Sequence, residues 1–138
     1  AITPITVKRY IEKIKKLANE DSRIIMTGFV QGEELEELYS NCYIYCLPSE
    51  LEGMSLSLLE AMSYGKNCLI SDIPENITVC EKYAITFQKG NIYSLKKKIE
   101  ECLNSNVGYK PEEISSFILN KYNWNNVVDQ TIRLYENK

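Results

Sequence analysis

The chain has no histidine among its 138 residues. That absence removes a histidine general base, a Ser-His-Asp triad and the usual histidine-ligated zinc site. Its five cysteines, Cys42, Cys46, Cys68, Cys80 and Cys102, are odd in number and form no Cys-x-x-Cys pair. A disulfide framework is therefore not expected, and a reducing cytoplasm is. Cys46 and Cys68 lie in strand-like runs and are expected to pack as small hydrophobes. No apolar run approaches membrane-spanning length and no segment reads as a secretory signal. A peripheral membrane contact would need a basic surface carried by a partner domain. The formal net charge of −3 gives no electrostatic reason to expect a nucleic acid partner. Also missing are the Gly-x-Gly-x-x-Gly of a dinucleotide-binding dehydrogenase and the Gly-Lys-Ser/Thr of a nucleotide hydrolase. Asp72 alone does not supply the acidic cluster of a phosphorylatable receiver. Glu33-Glu34 and Glu36-Glu37 read as a solvated face near a helix start rather than a divalent-ion site.

What is present is a globular composition, 44% hydrophobic and 25% charged, in a chain long enough to bury a core. Helical and strand-like patterns alternate. Val7, Tyr10, Ile11, Ile14 and Leu17 share one face of a helix predicted over Val7–Ala18. Arg23–Thr27, Tyr43–Leu47, Cys68–Ser71 and Ala84–Phe87 read as strands. Gly32–Ser40, Ser55–Tyr64, Pro74–Lys82 and Ile92–Leu103 read as helices, followed by Glu112–Lys121 and Asn125–Tyr135. Such alternation implies a parallel sheet with crossover helices, whose ligands sit beyond the carboxyl ends of the strands. Gly28, Ser49 and Asp72 each follow a predicted strand. The polar turn Asn104–Tyr109 is the best internal break, setting residues 105–138 apart as carboxyl-terminal helices of one domain spanning 1–138.

The densest chemistry lies in Pro48-Ser49-Glu50-Leu51-Glu52-Gly53-Met54-Ser55, which joins a strand to an apolar helix carrying Glu60-Ala61-Met62 and closed by Gly65. A helix start offers backbone N–H groups without helical partners and the positive end of the dipole, so it suits an anion. Glu60 would lie one to two turns into that helix, roughly 8–9 Å from its start at about 1.5 Å per residue. This is about the span from a terminal phosphate to a ribose, whose hydroxyls a carboxylate accepts well. An ordinary buried helix with two surface acids would share the pattern without the chemistry.

Pro48, Ser49, Glu52, Gly53, Glu60, Ala61, Met62 and Gly65 together resemble the donor-binding signature of the retaining GT-B glycosyltransferases, group 1. That family includes many polysaccharide and lipopolysaccharide assembly enzymes. Ile24–Val30 resembles the family's strand and Gly-Phe-Val turn, Leu35–Tyr39 its next helix, and the likeness continues more weakly to the helix at Trp124. The resemblance implies a Rossmann-like α/β fold, the carboxyl-terminal half of a GT-B enzyme. It implies no cofactor and no metal; the substrate is a UDP- or GDP-linked sugar, for hexosyl transfer to a glycan or lipid-linked acceptor held by another domain. It places the base against Gly28, Phe29 and Val30, and the phosphates over Gly53, Met54 and Ser55 as the first helical turn. Glu60 would take the ribose, and Glu52 the donor sugar near its reacting carbon.

Two departures matter. Ser55 stands where the family usually has Gly, adding a hydroxyl at the phosphate end. The family's Gly-Arg and Lys-Gly clamp for the departing diphosphate has no match, and Lys8, Arg9, Lys13, Lys15 and Lys16 belong to a different helix. The chain is thus expected to begin partway into a donor domain, to be inactive alone and to bind weakly. In the strand order 3-2-1-4-5-6 it would lack strands 1 and 2, which invites self-association through an open strand. A non-catalytic nucleotide-binding or partner module of the same ancestry is the alternative.

Overall fold

The computed structural model describes residues 4–105 and 107–136, and the side chains of residues 4–7 lie outside that description, Val7 among them. The chain divides into two units at the Leu35–Glu36 boundary. The first holds helix α1 (Pro4–Asn19) and the segment leading into α2 (Glu33–Asn41), which straddles the boundary. Tyr10, Ile11 and Leu17 of α1 remain exposed.

The second unit carries, in order, β1 (Tyr45–Leu47), α3 (Leu56–Ser63), β2 (Cys68–Ser71), α4 (Pro74–Cys80) and β3 (Ile85–Phe87). Helices α5 (Ile92–Asn104), α6 (Pro111–Lys121) and α7 (Trp124–Glu136) follow. The three strands form one parallel sheet in the order β1-β2-β3. Tyr45 is opposite Cys68, and Leu69 opposite Ile85. The central strand is buried at every position, as expected of a parallel strand covered on both faces. Helix α3 packs on β1, β2 and α6, and α5 on β3. Leu58, Ala61 and Met62 of α3 and Ile114 and Ile118 of α6 are buried there. Each large apolar side chain so buried contributes on the order of 1.5–3 kcal/mol.

Helix α3 ends at a glycine for a steric reason. Gly65 adopts φ +69, and a Cβ built there would lie 2.7 Å from the Pro111 carbonyl oxygen and 2.9 Å from the Pro111 Cβ. Its N–H donates to the Met62 carbonyl and that of Lys66 to the Ala61 carbonyl, which satisfies the last turn. Pro111, which opens α6 at a position where a missing N–H costs nothing, is therefore seated directly on this turn.

Two expectations are corrected. Arg23–Thr27 forms no strand: among the described residues it joins no ladder, and Ile24, Ile25 and Met26 are exposed. A strand gains its backbone hydrogen bonds only from a neighbour, and this apolar run has none. Gly28 consequently follows no strand, whereas Ser49 and Asp72 lie just beyond β1 and β2. Cys46 is exposed rather than packed, because it sits on an edge strand; Cys68, on the central strand, is buried. All five thiols are free. Burial pushes the Cys80 thiol up to about 11 and that of Cys68 higher still, so neither is a nucleophile at neutral pH.

Candidate anion and nucleotide site

The connection from β1 to α3 brings Ser49, Glu52, Gly53, Met54 and Ser55 to the carboxyl edge of the sheet, and α3 adds Glu60. The helix begins at Leu56. Gly53–Ser55 therefore lies in the turn before it rather than in its first turn. Ser55 is the N-cap residue, in extended conformation (φ −75, ψ 99), yet its side chain makes no capping bond. The first turn carries no acidic residue either. The N–H groups of Leu56, Ser57 and Leu58, which have no intrahelical acceptor by helix geometry, are thus left to something other than a cap.

The Ser55 hydroxyl is nearly buried and lies 3.2 Å from the Ser57 hydroxyl, which in turn accepts from the Tyr45 hydroxyl at 2.8 Å. With Tyr45 donating to Ser57, either serine hydroxyl can donate in the Ser55–Ser57 bond, since each oxygen has two lone pairs. The serine that departs from the family pattern thus places a hydroxyl at the helix start. Gly53 is exposed, and a Cβ added to it would meet nothing within 4 Å. Nothing within the chain requires glycine there; what its missing side chain leaves open is space above the turn.

Both carboxylates are held by hydroxyl donors. The Ser49 hydroxyl donates to Glu52 Oε1 at 2.5 Å, a short charge-assisted bond. The Tyr39 hydroxyl, from α2, donates to Glu60 Oε2 at 3.1 Å. Tyr39 is buried, its ring stacks on Tyr64 with centroids 5.7 Å apart, and it tilts against Tyr45 at 6.0 Å. Burial first, then the bond to Glu60 and the charge of Glu60, hold its phenol far above the ordinary tyrosine range. Tyr39 is accordingly a protonated donor at any physiological pH. It fixes one oxygen of an otherwise exposed carboxylate and leaves Oε1 to accept.

Gly28, Phe29 and Val30 belong to the first unit. Gly28 takes φ +73, Phe29 is exposed and Val30 half-buried. Sequence reasoning missed Tyr39, Tyr45 and Ser57. The available signal for Tyr39 was a tyrosine on the apolar face of a short amphipathic helix, since a buried phenol needs a partner for its hydroxyl.

Fold and site define a parallel α/β domain whose α3 start carries no side-chain cap and lies in sequence between two carboxylates held by hydroxyl donors. Residues 6–129 match the family Glycosyl transferases group 1, and the chain belongs to it. It is 23% identical over 135 residues to an uncharacterized glycosyltransferase of Methanocaldococcus jannaschii, covering 94% of this chain and 34% of that protein. It is 25% identical over 132 residues to the serotype-specific mannosyltransferase WbdA of Escherichia coli, covering 95% of this chain and 16% of that one. Among solved structures, a sucrose-phosphate synthase from Thermosynechococcus elongatus superposes with a TM-score of 0.77 at 21% identity, over 94% of this chain and 33% of its own. That likeness establishes the fold, the carboxyl-terminal half of GT-B, as expected from the sequence. The chain spans about a third or less of the length of these relatives.

Proposed function

We propose that this chain is the donor-binding part of a longer retaining glycosyltransferase that uses a UDP- or GDP-linked sugar. The observation that carries the reading is the α3 start, left without a side-chain cap or an acidic neighbour and flanked by Glu52 and Glu60. The diphosphate would lie over the Gly53–Ser55 turn and the free N–H groups of Leu56, Ser57 and Leu58, with the Ser55 hydroxyl as an added donor. Glu60 would accept from the ribose hydroxyls. Glu52 would orient the donor sugar or stabilise positive charge developing at its anomeric carbon. A glycan or lipid-linked acceptor would sit on another domain, in the cytoplasm or at a membrane surface.

This chain lacks an Arg/Lys clamp, and each charged hydrogen bond forgone costs about 1.5–3 kcal/mol. It is therefore expected to bind weakly and to be inactive alone. Titrating the isotopically labelled chain with UDP-glucose or GDP-mannose should move the amide resonances of Met54–Leu58 and of residues around Glu60. Saturating shifts elsewhere, or none at all, would remove the assignment.

Metal independence is part of the proposal. The chain has no histidine, and among the described residues no group of three or more Cys, Asp or Glu side chains is placed to hold a metal ion. A longer enzyme carrying it should keep its activity in excess chelator; complete loss, restored by Mg²⁺ or Mn²⁺, would contradict the reading.

Self-association is proposed as well. Among the described residues β1 pairs only with β2 and presents a free edge, while Ile24–Met26 is apolar and exposed. Unpaired edges and apolar patches invite a second copy. Light scattering across a concentration series should show a rising mean mass, and a constant monomer mass at every concentration would refute it.

A further inference from the structure

A second polar chain reaches Glu52 from the interior. Asn76 of α4 is fully buried. Its amide nitrogen lies 3.3 Å from the Ser71 hydroxyl and 3.5 Å from the Ser71 carbonyl, at the end of β2. The Ser71 hydroxyl donates to the Ser49 carbonyl at 2.6 Å, and the Ser49 hydroxyl donates to Glu52 Oε1. A serine hydroxyl has one proton, and a carbonyl can only accept. Ser71 has spent its proton on Ser49, so towards Asn76 it can only accept. The amide is thereby oriented with its nitrogen towards Ser71, and its oxygen is left without a partner among the described residues. An unpaired buried amide oxygen is unfavourable, and an apolar side chain of similar shape would avoid it.

We propose that Asn76 and Ser71 are positioning residues for Glu52. Through successive donors they hold the Pro48–Ser49 turn against the end of β2, so that the Ser49 hydroxyl meets Glu52 from a fixed place and the second carboxylate oxygen faces the ligand side. The functional meaning rests on the donor-sugar role of Glu52 proposed above; the hydrogen-bonded chain does not.

The test therefore has two arms. In the unliganded chain, backbone order parameters at Ser49 and Glu52 should be near 0.85, the value of rigid backbone, and fall below about 0.6 in Ser71→Ala and Asn76→Leu. Ser71→Thr, which keeps the donor, should restore them. The loss should be confined to residues 48–53, with the melting temperature of Asn76→Leu unchanged or raised. In the second arm, the advantage of UDP-glucose over UDP, or of GDP-mannose over GDP, should shrink about tenfold in Asn76→Leu, roughly one charged hydrogen bond, while the diphosphate's own affinity stays. Unchanged order parameters, or a loss spread over the whole chain with a fallen melting temperature, would overturn the proposal. Absence of nucleotide binding by the unmodified chain would count against the donor reading alone and leave the order parameters to decide the rest. If Ser71→Ala does not fold, Asn76→Leu and Ser71→Thr carry the test.

Discussion

Replacing Gly65 by alanine should destabilise the chain by about 2–5 kcal/mol, the sum of left-handed backbone strain and forced overpacking. The two terms arise separately. At φ +69 any side chain is strained. The new methyl would also stand 2.7 Å from the Pro111 carbonyl oxygen and 3.0 Å from its carbonyl carbon, which are backbone atoms and cannot rotate away. Helix α6 would have to move off α3, opening the layer that buries Met62 and Ile114. With stability of a domain this size on the order of 5–15 kcal/mol, the loss is a large share of the total, and a urea titration reads it directly. Gly53→Ala is the matched control. Its methyl would meet nothing, so stability should barely change while ligand binding weakens. A Gly65→Ala chain within 1 kcal/mol of the parent would mean that α6 does not rest on this turn as described.

The second large effect concerns Glu60. In an enzyme that carries this chain as its donor half, Glu60→Gln should lower turnover at limiting nucleotide sugar by roughly ten- to a hundredfold, the equivalent of one charge-assisted hydrogen bond of about 1.5–3 kcal/mol. The fold should survive, because Glu60 is exposed and a glutamine oxygen can still accept from Tyr39. Tyr39→Phe should have a smaller effect on the same step, since it frees the carboxylate without neutralising it, and should lower stability modestly through the lost bond. Unchanged turnover in Glu60→Gln would end the ribose assignment.

Local features were readable from the residue order. The start of α4 at Pro74 and of α6 at Pro111, and the close of α3 at Gly65, follow from the preferences of proline and glycine at helix ends. Cys68–Ser71 was placed to the residue, because a short apolar run bounded by turns has few alternatives. The turn between β1 and α3 could be singled out since all its chemistry lies within a dozen consecutive residues. Arg23–Thr27 was misread for the opposite reason: its composition suits a strand, but a strand is a property of two chains of backbone, not one.

By itself, then, the sequence determined an alternating α/β chain and membership of a glycosyltransferase family, and it singled out the β1–α3 turn and its carboxylates for the proposed site. Tertiary structure decided how those carboxylates are held. Tyr39 reaches Glu60 across 21 residues and Ser71 reaches Ser49 across 22, and no periodicity links such pairs. It also decided which strands form, leaving β1 with a free edge and residues 23–27 outside any ladder among the described residues. The division has one physical cause. Helix ends and turns are set by torsional preference and by hydrogen bonds within a few residues, whereas strands and buried polar contacts are completed only by partners that the fold brings from elsewhere.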